Sequence, residues 1–595
     1  MLDQRMLGGR ALGASACVVV ATLLSLVACQ DPTRPTASAL APAHPARALA
    51  AATAALQPWE LEDPATNHEI EGYASAASVN TGESIDLLVS TAGKTYTLAV
   101  YRMGWYGGAG AQLVLGPINR PSFVQPPPTT DPTTGLTECQ WTHPYTVRTS
   151  GWQSGVYLVK LTATSGKSSY VIFVVRDDAR ASKYLMQISF NTYQAYNFWG
   201  GLSIYGDSIG NSGRAVKVSF NRPFAKGAKA GAARGLGAGE FLTTLAYGPP
   251  NASGWEYNMV RFLEREAYDV TYTTDYDVGA RPQSLLNHRA LLVVGHDEYW
   301  TMGQRNAIVG ARDAGVHLGF FSANTGYWHV RFEPARDGTA DRTMVSYKER
   351  YAEDPQSGAY PTRMFREIGL PEDQILGIMY GGLSQATFPF VISDASTWVT
   401  AGTGAIVGTS FPGLSGSETD VQVSVVNASQ QRFGHGCASA TAQSWECDDA
   451  TTYDAPSGAT VVAFGTFQWS WGLDDYDPTG IRGVPVYPVA QAITRNVLAR
   501  FATAPTPSTP KPVGTVTVAL APSTVAVSGM SQASATLTDD SGNVLSGRTV
   551  TWSSSDTKIA KVSSTGVVTG SKAGTAVITA TAEGKSGSAT LTVVR

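Results

Sequence analysis

The pattern of apolar residues changes near Asp178, and this change constrains the fold more than any other feature of the sequence. Before it, short strands alternate apolar and polar side chains, as in residues 84–90, 96–101, 155–161 and 170–175. After it, the apolar runs are continuous, as at 290–294 and 316–321. Helical patterns separate those runs, at 256–266 and 302–314. Alternation is typical of a sheet with one solvated face, whereas continuous runs are typical of strands buried on both faces.

These patterns predict a multidomain chain, since 595 residues are too many for a single hydrophobic core. We expect a β-sandwich over residues 58–178. A central α/β domain should follow at 179–503, with a mostly parallel sheet of Rossmann or flavodoxin type. Residues 504–513 contain four prolines and form an extended linker. Residues 514–595 alternate again and predict a second, C-terminal β-sandwich.

The N-terminus has the layout of an export signal. Arg5 and Arg10 precede an uncharged, apolar stretch that ends at Val27. The sequence then reads Leu-Val-Ala-Cys up to Cys29, which resembles the lipobox of bacterial lipoproteins and implies acylation of that cysteine. We therefore expect a signal peptide at 1–28 and a disordered Ala/Pro/Thr-rich tether at 29–57. The expected location is the cell envelope, by lipid anchor only, and secretion otherwise.

Charge and cysteine content exclude two classes of function. The net charge is -4, without a basic surface signature, so a nucleic-acid partner is not expected. The sequence has no C-x-x-C or H-E-x-x-H motif, so a conventional zinc site is not indicated. Cys437 and Cys447 are ten apart in a polar stretch, and in an oxidising compartment we expect a disulfide between them. Cys139 is left over.

Polar side chains follow three of the predicted central strands. The strand at 184–190 leads into a tyrosine-rich segment, that at 290–294 into His296, Asp297 and Glu298, and that at 316–321 into Asn324. The carboxyl ends of parallel strands meet at one edge of a sheet, where ligands bind. A buried carboxylate needs a partner, and a metal ion is the simplest one. Phenolate and carboxylate oxygens suit Fe(III) or another hard cation.

The last 80 or so residues resemble the group 2 bacterial immunoglobulin-like domains. The resemblance rests on residues 516–520, 550–556, 560–562, 566–570 and 574–580. It implies a spacer or an adhesion module without chemistry of its own. A cell-surface polymer is therefore an expected partner of this domain.

The central region resembles the catalytic part of the N,N-dimethylformamidase large subunit over roughly residues 180–500. The matching segments are 192–197, 202–205, 295–300, 324–328 and 465–473. In that family two tyrosines and one glutamate hold a mononuclear iron, which activates water for amide hydrolysis.

The resemblance assigns roles to individual residues. It implies Glu298, Tyr196 and Tyr205 as ligands of a mononuclear Fe(III), with Tyr193 as a rival for Tyr196. His296, Asn324 and Lys348 match positions that contact the substrate or the metal ligands; His296 would serve as the base and Asn324 would stabilise the oxyanion.

The sequence also departs from the family. Asp297 stands where the formamidase has proline, the segment between Tyr196 and Tyr205 is shorter, and the small subunit is not part of this chain. Because an exported enzyme meets environmental or envelope molecules, we expect a small-molecule amide other than dimethylformamide as the substrate.

Two alternatives stay open at this stage. One is a surface protein that binds glycans without catalysis. The other is a carbohydrate-active enzyme that acts on a glycan-like substrate with paired carboxylates, Glu298 with Asp275 or Asp277.

Overall fold

A computed structural model describes residues 56–595 apart from 207–212, 226–229, 243–253, 357, 359, 440, 444–445, 478–481, 506–511, 541, 543, 546–547, 549 and 564. The predicted signal peptide, Cys29 and almost all of the predicted tether lie outside the described residues. No helix in the described part of the chain combines the length and the apolar character that crossing a bilayer requires.

The first part of the chain forms two facing sheets. Strands β1–β10 are Ile70–Ala74, Ser78–Asn80, Ser84–Thr91, Thr95–Met103, Ala111–Pro121, Thr129–Thr130, Thr137–Glu138, Tyr145–Arg148, Gly155–Ala163 and Ser168–Arg176. One sheet has the order β1-β3-β8 and the other β2-β10-β9-β4-β5. Alternate side chains of both sheets, such as Leu87 and Val159, enter one buried cluster, because successive residues of a strand point to opposite faces.

The central part is built around a seven-stranded mixed sheet. Strands β11–β23 are Tyr184–Ile188, Lys217–Ser219, Val270–Thr274, Ala290–His296, Tyr299–Thr301, His317–Ala323, Trp328–Glu333, Thr343–Val345, Met379–Val391, Ser410–Val421, Gln431–Cys437, Cys447–Asp454 and Thr460–Ala463. The sheet order is β13-β11-β14-β16-β23-β22-β21. The first five strands are parallel, and the last two are antiparallel to their neighbours.

The described residues form six α-helices of four to fourteen residues. Helices α1–α6 are Phe190–Ala195, Trp255–Arg265, Asp275–Ala280, Met302–Asp313, Asp373–Leu376 and Pro488–Phe501. Helix α4 begins after Thr301, whose hydroxyl accepts a hydrogen bond from the backbone N–H of Gln304, the usual role of a threonine N-cap. Strand β14 is buried on both faces, since Val294 packs in the same cluster as α2, and Val293 in the same cluster as α4.

The predicted fold class of the central part is wrong. Strands make up 41% and helices 16% of the described residues, and many small sheets stand in place of a large parallel core of Rossmann or flavodoxin type. Hairpins β19–β20 and β21–β22 occupy the chain between β16 and β23, where a doubly wound fold has crossover helices. A continuous apolar segment indicates that a strand is buried on both faces, but it does not indicate the direction of the adjacent strands.

The C-terminal part is a small sandwich. Strands β24–β32 are Thr515–Ala521, Thr524–Ala526, Met530–Thr538, Val544–Leu545, Thr551–Ser554, Ala560–Val562, Val567–Gly570, Gly574–Ala582 and Lys585–Val594. One sheet has the order β24-β26-β30-β29, with β27 beside β26, and the other β25-β32-β31-β28. Val568 and Ile578 meet in the core between them. The predicted immunoglobulin-like domain fits this arrangement.

Candidate active site

Near its C-terminal end, strand β14 adopts a backbone conformation that favours glycine. Gly295 has a φ of +73°, and a Cβ atom there would lie 2.8 Å from the Cβ of Trp255. Glycine has no Cβ and adopts positive φ at little cost. The strand ends at His296 and is followed by Asp297 and Glu298, and all three side chains are buried. The backbone N–H of Glu298 donates to Thr192 Oγ1 at 3.0 Å, which fixes this segment against α1.

The three predicted metal ligands meet in the structure. Tyr196 lies at the C-terminal end of α1, and its phenol oxygen donates to Glu298 Oε2 at 2.8 Å. The phenol of Tyr205 donates to Glu298 Oε1 at 2.7 Å. The two phenol oxygens are 3.2 Å apart, and the rings stack with centroids 4.5 Å apart. The loop that holds both tyrosines and the segment after strand β14 therefore bring two phenols and one carboxylate into contact.

The rival tyrosine lies elsewhere. The phenol of Tyr193 donates to Glu256, a buried glutamate on α2. Tyr193 lies within the helix, whereas Tyr196 is the C-cap residue that follows its last turn, and the two phenols contact different carboxylates. The structure thus groups Tyr196, rather than Tyr193, with Glu298.

The three other predicted residues surround this cluster. His296 Nε2 lies 3.2 Å from Glu298 Oε2. Asn324 has a φ of +46°, and its side-chain amide donates to Glu418 Oε2 at 3.1 Å. Lys348 is buried at a φ of +52°, and its ammonium lies 3.7 Å from the ring centroid of Tyr205. Asparagine adopts positive φ readily, whereas lysine rarely does, so the backbone is strained at Lys348.

Sequence reasoning missed three residues of the site. Glu418 on β20 places Oε2 3.0 Å from His296 Nε2. The phenol of Tyr299 donates to the Tyr205 oxygen at 2.6 Å. Glu240, which is 1% exposed, lies 4.0 Å from His296 Nδ1 through Oε2. Tyr299 belongs to the His-Asp-Glu-Tyr-Trp segment and could have been assigned from it, whereas no local signal points to Glu418 or Glu240.

The charges of the site are strongly coupled. Burial opposes ionisation of Glu298, but the adjoining His296 outweighs it and lowers the pKa of that carboxyl. Burial likewise opposes protonation of His296, yet the charges of Glu418 and Glu298 raise its pKa well above the usual value. Burial, followed by the charge of Glu298, raises the pKa of both Tyr196 and Tyr205. A bound cation would reverse the effect on the phenols and favour phenolates.

The donor set fits a hard metal ion. Oxygens that bind one ion octahedrally at about 2.0–2.1 Å lie about 2.9 Å apart, and the contacts among Tyr196, Tyr205 and Glu298 span 2.7–3.2 Å. His296 Nε2 lies within ion-pair distance of two carboxylates yet makes no well-aligned hydrogen bond, and buried Asn324 Oδ1 has no partner among the described residues. Polar atoms left in this way mark a place for a ligand.

A second cluster of metal-ligand residue types does not compete with this one. His435, Cys437 and Cys447 lie close together, but a disulfide joins the two sulfur atoms. Disulfide sulfurs are not thiolates and do not ligate zinc. The structure thus contains the expected Cys437–Cys447 bond, while Cys139 is a buried free cysteine.

The carboxylates of the glycosidase alternative have structural partners. Asp277 pairs with Arg176 and Arg281 and accepts a hydrogen bond from Thr274. Asp275 accepts the backbone N–H groups of Asn191 and Tyr276 at 2.8 Å each. Within the described residues, each carboxylate is thus held by other side chains or backbone groups and makes no hydrogen bond to Glu298.

Solved structures give only distant matches. Murine CEACAM1b is 12% identical, with 20% of this chain and 62% of that chain covered and a TM-score of 0.11. A Paenibacillus cycloisomaltooligosaccharide glucanotransferase is 8% identical, with 44% and 56% covered and a TM-score of 0.14. A glycoside hydrolase family 2 beta-glucuronidase is 11% identical, with 88% and 61% covered and a TM-score of 0.20. The chain spans less than two thirds of each of these structures, and such TM-scores carry no argument about its fold.

Family comparison is more informative. No curated protein matches the chain. The family described as "N,N-dimethylformamidase beta subunit-like, C-terminal" matches residues 97–481, which contain every residue of the cluster around Glu298. The group 2 bacterial Ig-like domain matches residues 512–593 and confirms the C-terminal prediction. Since the first match covers well over half of the chain, the protein belongs to the N,N-dimethylformamidase beta subunit-like family and carries a bacterial Ig-like domain at its C-terminal end.

Proposed function

We propose that the chain is an amide hydrolase that uses one Fe(III) ion bound by Tyr196, Tyr205 and Glu298. The observation that carries this proposal is the meeting of two phenol oxygens on the two oxygens of a single buried carboxylate, at 2.8 and 2.7 Å. Membership of a family of formamidase-like hydrolases supports the reaction class. The substrate class is a small-molecule amide.

The bound ion would supply Lewis acidity, polarising the amide carbonyl and lowering the pKa of a coordinated water. Residues of the chain itself would transfer the proton and orient the substrate. His296 Nε2 lies between Glu298 and Glu418, at 3.2 and 3.0 Å, and so can pass a proton to or from Glu418. General acid–base transfer of this kind contributes about 10²–10⁴-fold to rate.

Asn324 and Lys348 have roles that their contacts define. The Asn324 amide holds the Glu418 carboxylate at 3.1 Å, so we propose that it positions Glu418 in the free enzyme and becomes available to an oxyanion when the substrate enters. The Lys348 ammonium lies over the Tyr205 ring and 4.7 Å from the centroid of Trp328. Its positive charge favours ionisation of the neighbouring phenol and carboxylate.

Aromatic side chains lie beside His296 in the site. The Phe467 ring lies 4.4 Å from that of His296, and Trp255 packs on Phe467 with centroids 5.1 Å apart. A low-dielectric wall strengthens each electrostatic interaction inside it. It also favours a small substrate with apolar groups on the amide nitrogen or carbon.

Metal analysis of the purified full chain tests the proposal. We expect about one iron per chain and a visible absorption band from tyrosinate-to-iron charge transfer. Amine release from a panel of small N-alkylamides should accompany the bound iron. Glu298→Gln should lose the iron, the band and the activity.

Glu256→Gln is the matched control for that experiment. Glu256 is as buried as Glu298, and burial raises its pKa to about 8, so the glutamine resembles its protonated form. The control should keep the iron and the colour. A colourless, iron-free wild-type chain would refute the proposal and favour a binding protein without catalysis.

The cellular location belongs to the same proposal. A lipid on Cys29 would hold the enzyme at the cell envelope, with the Ig-like domain in contact with a cell-surface polymer. Group 2 Ig-like domains are common in extracellular proteins, which supports export. Metabolic labelling with a radioactive fatty acid should mark the wild-type chain and not Cys29→Ala.

A further inference from the structure

One loop supplies two of the three proposed metal ligands. Residues 196–205 run from the end of α1 to the second tyrosine, and all of them are described. The distance between the two phenol oxygens, 3.2 Å, therefore depends on the conformation of this loop. A loop of this length between two ligands needs something to fix its backbone, because an unfixed loop would lose conformational entropy on binding the ion.

Arg222 makes its hydrogen bonds to the backbone of this loop. Its Nη2 donates to the carbonyl of Asn197 at 2.6 Å, and its Nη1 donates to the carbonyls of Trp199 and Leu202 at 3.2 Å each. The side chain is 1% exposed. The planar guanidinium thus reaches three carbonyls of the connection between Tyr196 and Tyr205, which suits its fixed fork of donors.

The burial of this arginine is unusual. Within the described residues, no carboxylate forms an ion pair with Arg222, and its Nε has no hydrogen-bond partner. Burial lowers the pKa of the guanidinium to about 10, so the group stays charged at neutral pH. A buried charge without a counter-charge is costly. The three loop carbonyls stabilise the buried charge of Arg222. The position of the guanidinium and the conformation of the loop therefore depend on each other.

The side chain of Asn197 ties the same two segments together. Its Oδ1 accepts the backbone N–H of Trp199 and of Ala225, at 3.1 Å each. Its Nδ2 donates to the carbonyl of Pro223 at 2.9 Å. The start of the loop and the residues that follow Arg222 are therefore joined twice, once through each side chain.

We infer that Arg222 is a positioning residue that holds the phenol oxygens of Tyr196 and Tyr205 at ligand spacing before the metal ion arrives. This inference rests on the proposed function. Arg222 touches neither the phenols nor Glu298 in the described structure, so it acts through the loop backbone. Its loss should weaken metal binding and distort the metal site without removing a ligand.

Arg342 offers a matched control. It is 7% exposed, and burial lowers its pKa to about 10 as well. Its guanidinium donates to the carbonyls of Ala74 and Phe220 and to the side chain of Asn221, and it has no ion-pair partner in the described part of the chain. It contacts no residue of 196–205. A comparison of Arg222 and Arg342 variants thus distinguishes the general effect of removing a buried guanidinium from the effect of removing the hydrogen bonds to residues 196–205.

The experiment compares full chains of wild type, Arg222→Lys, Arg222→Met and Arg342→Met. Each is stripped with a chelator, titrated with ferrous iron alone and oxidised in air, while iron affinity and the charge-transfer band are recorded. We expect iron affinity to fall at least about tenfold in Arg222→Met and less in Arg222→Lys, since lysine keeps the charge but not the fork. The band should move in both Arg222 variants. Arg342→Met should lose thermal stability and keep the wild-type affinity and band.

The outcomes separate the two proposals. A wild-type chain that binds no iron overturns the proposed function. A wild-type chain that binds iron, together with Arg222 variants of unchanged affinity and band, overturns the positioning role alone. An equal loss of affinity in Arg342→Met overturns it as well. If Arg222→Met does not fold, the charge-transfer band of Arg222→Lys tests the positioning role: a shifted band supports it, and a band at the wild-type position overturns it.

Discussion

Glu418 Oε2 lies 3.0 Å from His296 Nε2, although the two residues belong to strands of different sheets. The same oxygen accepts the Asn324 amide at 3.1 Å. Because Glu418 contacts the proposed base and none of the proposed metal ligands, it connects proton transfer to the site without holding the ion.

Replacement of Glu418 by glutamine should separate catalysis from metal binding. Glutamine cannot take up or return the proton that His296 passes to Glu418, so we expect amine release to fall about 10²-fold or more, with iron content and colour retained. Parallel assays of iron and of released amine check this. Loss of iron together with activity would show that Glu418 is itself a ligand.

Tyr193 within α1 and Tyr196 at its C-terminal end give a second prediction. Tyr196→Phe removes an oxygen that contacts Glu298 at 2.8 Å, so the variant should lose most of its iron and the charge-transfer band. Tyr193→Phe removes an oxygen that contacts Glu256 and should keep both. Iron per chain and the visible spectrum are measured on the pair. The reverse result would reassign the ligand to Tyr193.

The part of the site that could be predicted from the sequence is the part that local chain geometry brings together. Tyr196 and Tyr205 share one loop, and Glu298 follows the end of a buried strand, so each lies in a short motif through which the family resemblance assigns it a role. Glu418 lies in the hairpin of β19 and β20, whose register includes several irregularities. Its place beside His296 depends on tertiary packing that the hairpin sequence does not encode locally.

The fold shows the same limit. The runs at 290–294 and 316–321 are adjacent parallel strands buried on both faces, as their apolar character predicts. The sequence between β16 and β23, by contrast, forms antiparallel hairpins whose strands contain many polar residues buried by pairing, such as Thr419, Asp420 and Asp448. Hydrophobic periodicity does not detect strands of that kind, which led to the wrong fold class.

Asp448 predicts a pH dependence of stability. Burial raises its pKa from 3.8 to about 8, even though Ser415 and the backbone N–H of Gly436 donate to it. Between these two pH values the folded chain holds a proton that the unfolded chain has released, so this group destabilises the fold as pH rises through that window.

Asp448→Asn should therefore gain stability where the wild type carries the penalty. We expect a Tm above that of the wild type near pH 8 and no gain near pH 4. Each kcal/mol of added unfolding free energy should raise the Tm by about 2–4 °C. Thermal unfolding of both proteins across this range checks it. A gain that is equal at all pH values would point to packing instead of ionisation.

Lys348 predicts a loss of function through charge. Its buried ammonium lies 3.7 Å from the centroid of the Tyr205 ring and 5.1 Å from that of Tyr299. Burial lowers its pKa to about 8, so it is still mostly charged at pH 7. Lys348→Met keeps much of the aliphatic volume and removes the charge, which makes ionised Tyr205 and Glu298 less favourable. We expect weaker iron binding near pH 7 and at least about tenfold slower amine release.

Lys217→Met is the matched comparison for that variant, because Lys217 is partly buried and pairs with Glu333 outside the site. A surface-type ion pair contributes about 0–1 kcal/mol, so its loss should leave iron binding and amine release as in the wild type. Titration of both apo-variants with ferrous iron, followed by air oxidation and the amine assay, measures the two effects. Equal behaviour of the two variants would mean that the charge of Lys348 does not act on the cluster around Glu298.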